Sequence, residues 1–176
     1  MNLSTLLLRR RMMMLSFSAP IPATNQIVYQ SVDGTLLNMS SICNANLINN
    51  EIVGEYMIAT FDGDVISIKN YTTRNIKYID FPTTCTTFAR TAFDNSYGLN
   101  RIIFRASNYT FGDYCFSVFR QPSVVTLYAT TPPIRRTWAI GSNPLSVKPT
   151  IEVPVGCAEA YRNSSYWAGY TIVEMS

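Results

Sequence analysis

Residues 76–93 and 99–116 share few identities, yet they agree at nearly every apolar position when aligned 23 residues apart. Ile76 falls on Leu99, Ile79 on Ile102 and Phe81 on Phe104. Phe88 falls on Phe111, Ala92 on Cys115 and Phe93 on Phe116. Val125 and Leu127 follow Ile102 and Phe104 by the same 23 residues. One such unit cannot bury its apolar face alone, so a fixed period points to units stacked as rungs. Ile79, Ile102 and Val125 should form one internal ladder, and Phe81, Phe104 and Leu127 another. Each rung then adds a short strand to a parallel sheet, with Phe88, Phe111, Phe93 and Phe116 packed beneath it. An ordinary sandwich has no reason to keep one period through three rungs.

The pattern frays on both sides. Phe61 and Ile68 read as a shortened first rung, standing where Phe81 and Phe88 stand in the next. In the third rung Ile134 keeps the position of Phe111, and Trp138-Ala139 replace Cys115-Phe116. A stack has two open ends that need covering. Residues 25–60 suit the first end, with Asp33-Gly34 as a hairpin turn and Asn49-Asn50 as a second turn. Residues 150–176 suit the other: Pro154 ends a strand, Gly156 to Arg162 suits a short helix, and Tyr161, Trp167, Tyr170 and Ile172 offer large plugs. The chain thus divides into residues 1–24, a cap over 25–60, rungs over 61–149 and a cap over 150–176.

Composition narrows the function classes. The 176 residues suit one domain, with 47% apolar and 14% charged residues. A formal charge of +3 is too small to imply nucleic acid, and no apolar run reaches the roughly 18 residues of a membrane-spanning helix. There is no histidine, which removes His-based triads and His-containing metal sites. We therefore expect no enzyme, no metal and no cofactor. Cys43, Cys85, Cys115 and Cys157 contain no C-x-x-C pair, and the two in the periodic region read as small buried thiols. Their even number leaves disulfides open.

Residues 1–24 form a separate block. Leu3, Leu6, Leu7 and Leu8 precede Arg9, Arg10, Arg11 and Met12, and Pro20-Ile21-Pro22 starts an extended linker. Apolar side chains flanking a cationic cluster suit a docking peptide that orders against a larger protein assembly. A disordered tail and a secretory signal are the competing readings.

Phe81-Pro82, Phe88 and Ala92-Phe93 fit the frame I-x-I-P-x-x-V-x-x-I-G-x-x-A-F, so this part resembles the BspA-like leucine-rich repeat proteins. "NQIVYQSVDGTLL" resembles the hairpin that precedes such repeats, and "VPVGCAEAYRNSSYWAGYTIVEM" resembles their C-terminal cap. The similarity covers about residues 25–175, although Thr72-Thr73 stands where Ala-Phe is expected and the rungs are few. The resemblance implies a mostly β, short leucine-rich-repeat solenoid with an N-terminal hairpin cap and a C-terminal α/β cap. It also implies a non-enzymatic adhesion module outside the cell, binding a host-surface protein or glycan. The opening "LLLRRRMMM" is similar to a leader of phage-like structural proteins, which suggests a virion-associated display module. The alternative is a secreted or cell-surface bacterial adhesin whose signal is cleaved. Homo-oligomer formation stays open.

If Ile79 and Phe81 point inward, their neighbours point out. The candidate ligand face is then Tyr78, Asp80, Arg101, Ile103, Arg105, Thr126 and Tyr128. Tyrosine and arginine suit recognition because each offers a large area with a polar end.

Overall fold

The fold comes from a computed structural model of the chain, which describes residues 18–134 and 136–176. Most of the expected docking peptide, including Leu3 to Met12, lies outside the described residues, as does Arg135. The elements are β1 (Gln26–Ser31), β2 (Leu47–Val53), β3 (Tyr56–Phe61), β4 (Ser67–Ile68), β5 (Ile76–Phe81) and β6 (Thr87–Phe88). They continue with β7 (Arg101–Phe104), β8 (Thr110–Phe111), β9 (Val124–Leu127), β10 (Thr150–Val153), α1 (Ala158–Asn163) and β11 (Thr171–Glu174).

The ladder demanded by the period is present. β5, β7 and β9 run parallel, with Ile79 on Ile102 on Val125 and Phe81 on Phe104 on Leu127. β10 and β11 extend it in parallel, adding Ile151 and Ile172 to the isoleucine row. The result is a β-solenoid of about five turns. Its main sheet has the order β11-β10-β9-β7-β5-β1-β3-β2, and a second sheet has the order β4-β6-β8.

Between the sheets lies one apolar column. Phe81 stacks on Phe104 (5.5 Å between ring centres), Phe88 on Phe111 (5.5 Å) and Phe93 on Phe116 (4.9 Å). Edge-to-face contacts tie these stacks together, as between Phe88 and Phe104 at 4.9 Å and Phe104 and Phe116 at 5.5 Å. All six rings are essentially removed from water. Aromatic pairs of these two geometries add about 0.5–1.5 kcal/mol each to the burial itself.

The third wall of each rung is a pair of left-handed residues. Thr91 and Phe93, then Tyr114 and Phe116, then Trp138 and Ile140 have φ between 50° and 61°. Left-handed backbone costs a bulky residue about 1–2 kcal/mol. Here it turns the chain so that Phe93 N–H reaches Tyr71 O, and Phe116 N–H reaches Ala92 O, at 2.8 and 2.9 Å. The rungs approach so closely that a Cβ on Gly112 would lie 2.5 Å from the backbone nitrogen of Arg90.

Several expectations need correction. Asp33-Gly34 turns the chain but makes no hairpin: β1 pairs with β3 and β5, and residues 35–39 just after the turn form no strand. Asp33 instead accepts hydrogen bonds from Thr35 and from the Asn75 side chain, and these hold its carboxyl well below the usual carboxylate range. Asn49 and Asn50 are not a turn. They lie inside β2, where Asn50 accepts from the Tyr29 hydroxyl and donates to Leu37 O, and the turn falls at Gly54. The first rung is real only in its second half. Ile68 pairs with Phe88, but the antiparallel β1 takes the place beside β5 and displaces Phe61 outward in the sheet. In the third rung the match slips by one residue. Ile140 N–H bonds Cys115 O and Gly141 N–H bonds Phe116 O, so Ala139 and Ile140 fill the core while Trp138 turns out. Ile134 is 68% exposed instead of buried over Phe111.

The C-terminal cap closes the column as expected. Tyr161, Trp167 and Tyr170 are buried and donate hydrogen bonds to Ala129 O, Pro133 O and Ile140 O at 2.7–2.8 Å. All four cysteines are free thiols, three of them buried.

Two substitutions test this packing. Phe104→Ala should cost about 3–5 kcal/mol in urea unfolding, because its ring joins all three stacks. Gly112→Ala should cost about 1–3 kcal/mol although it removes nothing, because rung must part from rung.

Candidate functional site

The alternation of β5, β7 and β9 sends the seven expected residues to the outer side of the main sheet, but that side is not an open strip. Tyr78, Asp80, Ile103 and Thr126 are buried, with exposures of 6%, 0%, 7% and 3%. Tyr78 and Ile103 form a second small apolar cluster with Val28, against which Ala19, Tyr56 and Ile58 pack. Ala19 belongs to the linker that precedes β1, so this linker covers a face that strand alternation alone would leave bare. Of the seven, Arg101 and Arg105 reach water in part, and Tyr128 is exposed.

Charge explains the rest of the burial. Arg105 grips Asp80 with two hydrogen bonds of 2.8 Å, and the Tyr78 hydroxyl donates a third at 3.3 Å. The Asp80 side chain is fully buried and that of Arg105 is 13% exposed. Burial pushes the Asp80 carboxyl up, and the Arg105 and Tyr78 hydrogen bonds offset only part of that rise. The Arg105 guanidinium also lies over the Tyr128 ring, 5.3 Å from its centre. Burial likewise raises the Tyr78 hydroxyl, which stays protonated and keeps donating.

One rung further, Arg101 bonds Glu152 at 2.8 Å, and Thr126 donates to the same carboxylate oxygen at 2.6 Å. Arg101 is 41% exposed, so this pair adds little stability, about 0–1 kcal/mol. Between these groups lies a groove of about 290 Å³ that also meets Glu174 and Met175. The structure therefore brings Arg101, Ile103, Thr126 and Tyr128 to one groove and seals Tyr78 and Asp80 beneath the face.

A larger feature lies on the other side of the column. β8 is an edge strand, and among the described residues no third-rung strand pairs with it. Period 23 would place that strand at Pro133-Ile134. Proline has no N–H for a ladder, and Pro132-Pro133 keeps the chain extended and away from β8. The chain rejoins the stack at Thr137, whose carbonyl accepts from Tyr114 N–H at 3.0 Å. The missing strand leaves an open cleft of about 1050 Å³. Thr110, Phe111 and Asp113 form one wall, and Ile134, Arg136 and Trp138 the other, with Ser142 and Tyr166 also lining it.

The sequence reading missed this cleft. It read Ile134 and Trp138 as core because both fit the apolar frame, whereas Trp138 is 42% exposed and packs edge-on to Tyr114 at 5.4 Å. The one signal was Pro132-Pro133, at which the third rung loses its pattern. Among the described residues no cluster of three or more metal-ligating side chains occurs, and no helix is long and apolar enough to cross a membrane. Comparison with protein-family models, curated proteins and solved structures returns no match.

The buried ion pair generates a prediction with a sign. Arg105→Met leaves the Asp80 carboxylate buried without its counter-charge, which should cost about 3–5 kcal/mol at pH 8. A carboxyl raised in the folded state binds its proton before the unfolded chain does, so the deficit should shrink as pH falls. Adding Asp80→Asn should recover most of the loss at pH 8. Urea unfolding of both variants across pH 5–8 checks this.

Proposed function

We propose that this protein is a non-enzymatic display and adhesion module. Its N-terminal peptide, residues 1–20, docks onto a larger assembly such as a phage virion, and the solenoid is held outward to bind a surface protein or glycan. The observation that carries the reading is the third-rung cleft. Ile134 and Trp138, which the 23-residue period would place inside the column, are here 68% and 42% exposed along one cleft. Aromatic side chains displayed on a rigid scaffold lose little entropy on binding, which is what recognition surfaces exploit. The resemblance to the BspA-like leucine-rich repeat proteins supports the same reading. Arg101 and Tyr128 offer a smaller second contact region at their groove, suited to weak, repeated attachment.

The docking half and the binding half are tested separately. Deleting residues 1–17, which spares Ala19 and the linker packed on the sheet, should leave the thermal transition intact and abolish co-purification with the particle or surface fraction of the native source. A truncated chain that still assembles overturns docking, and a natural N-terminus between Ala19 and Thr24 replaces docking with export. For binding, the full chain is passed over immobilised gastric mucin. Trp138→Ala should weaken retention at least tenfold, and equal retention by this variant overturns the cleft as the adhesive surface.

A further inference from the structure

The main sheet ends in β2, and among the described residues no strand pairs with its outer edge. Phe61 N–H bonds Asn25 O, so Phe61, Ala59 and Met57 turn their backbone groups toward β1. Thr60, Ile58 and Tyr56 then turn theirs toward β2, where they meet Asn49, Glu51 and Val53. The alternate residues, Asn50 and Ile52, are left with N–H and C=O aimed away from β3. Side chains along this edge are open as well: Ile48 is 64% exposed, Ile52 56% and Val53 45%.

Edge strands are usually blunted by lysine, proline or a short length. β2 contains neither residue and runs for seven positions. Its one charge is Glu51, and its one irregularity is a bulge between Leu47 and Asn49, after which the register is regular to Val53.

The order of side chains selects the occupant. Outward from Asn50 in both directions, "LINNEIV" gives one polar residue and then two apolar ones: Asn49 and Glu51, Ile48 and Ile52, Leu47 and Val53. A two-fold axis at Asn50, perpendicular to the sheet, therefore sets each residue of one copy against one of its own kind in the other. Isologous contacts need this self-complementarity. The backbone phase agrees, because Asn50 points its N–H and C=O outward and can exchange both hydrogen bonds with Asn50 of the second copy. Glu51 then meets Asn49 of that copy at a non-hydrogen-bonded position, where side chains come closest, and no like charges oppose.

The other free edge of the main sheet is β11, four residues long. Joining β2 to it head to tail would pair fewer residues and build an open filament instead of a closed pair.

We infer that β2 is a dimerisation edge: two copies pair β2 antiparallel to β2 about Asn50 and join their main sheets into one. The contact is small, so the dimer is weak and reversible. It does not depend on what the cleft binds, but it presents that cleft twice.

Sedimentation velocity of the full chain, carried to about 1 mM, tests the pairing. The chain should pass reversibly from monomer to dimer. The Asn50 and Ile52 amides should become protected from hydrogen exchange only as the dimer fills, whereas the Glu51 amide, bonded to β3, should be protected throughout. Asn49→Glu sets a carboxylate opposite Glu51 twice per dimer and should weaken it at least about tenfold. Asn49→Lys should tighten it about threefold or more, and Asn49→Glu with Glu51→Lys should restore the original affinity within about threefold. Asn49 and Glu51 are exposed, so Tm should hold in all three variants. A chain that stays monomeric, an assembly that grows beyond two, or a dimer indifferent to Asn49→Glu overturns the inference.

Discussion

Ring-on-ring contact between successive rungs is the constraint from which the rest of this structure follows. The three parallel stacks of Phe81, Phe88 and Phe93 on Phe104, Phe111 and Phe116 work only if the rungs share one height and one outline. A phenylalanine one position out of register would drive its ring into a neighbour's backbone. The same close approach explains why the left-handed turn recurs at Thr91 and Tyr114, and why glycine is needed at position 112. Local strain in each turn is offset by the hydrogen bonds and the aromatic burial that the turn permits.

Where that constraint lapses, the molecule changes character. The third rung puts Leu127 on Phe104 but brings Ile140, not an aromatic ring, over Phe116. Two prolines remove a strand, one extra residue shifts the turn, and the column opens on one side. The C-terminal cap repairs the breach from within: Trp167 donates to Pro133 O and Tyr170 to Ile140 O, so the irregular carbonyls stay satisfied. The outside is not repaired, and the cleft is what remains.

How much of this could be read from the chain differs by region, for physical reasons. The ladder from Ile79 to Val125 was legible because a fixed period leaves few alternatives. The place of β1 was not, because "QIVYQS" has the apolar content of a rung strand and nothing local reveals that it runs antiparallel. Alternation correctly placed Tyr78, Asp80 and Ile103 on the outer side of the sheet. It could not reveal that Ala19 folds back near them or that Arg105 neutralises a buried carboxylate. Those facts depend on segments far apart in sequence. The slip in the third rung escaped because Trp138, Ala139 and Ile140 are all apolar, so a shift of one residue leaves the pattern superficially intact. The candidate site was therefore the least legible part, since it exists where the repeat fails.

The parallel pairing of β5, β7 and β9 has one further consequence. Each of these strands pairs only with its two neighbours in the sheet, in the same parallel register from β5 to β9. Copy number is then a free variable of the strand pairing: duplication of a middle segment would preserve the parallel register, lengthening the molecule by one strand spacing of about 4.8 Å. The distance between the antiparallel N-terminal strands and the breached third rung is set by counting, so evolution can adjust how far the cleft stands from its base without redesigning either end.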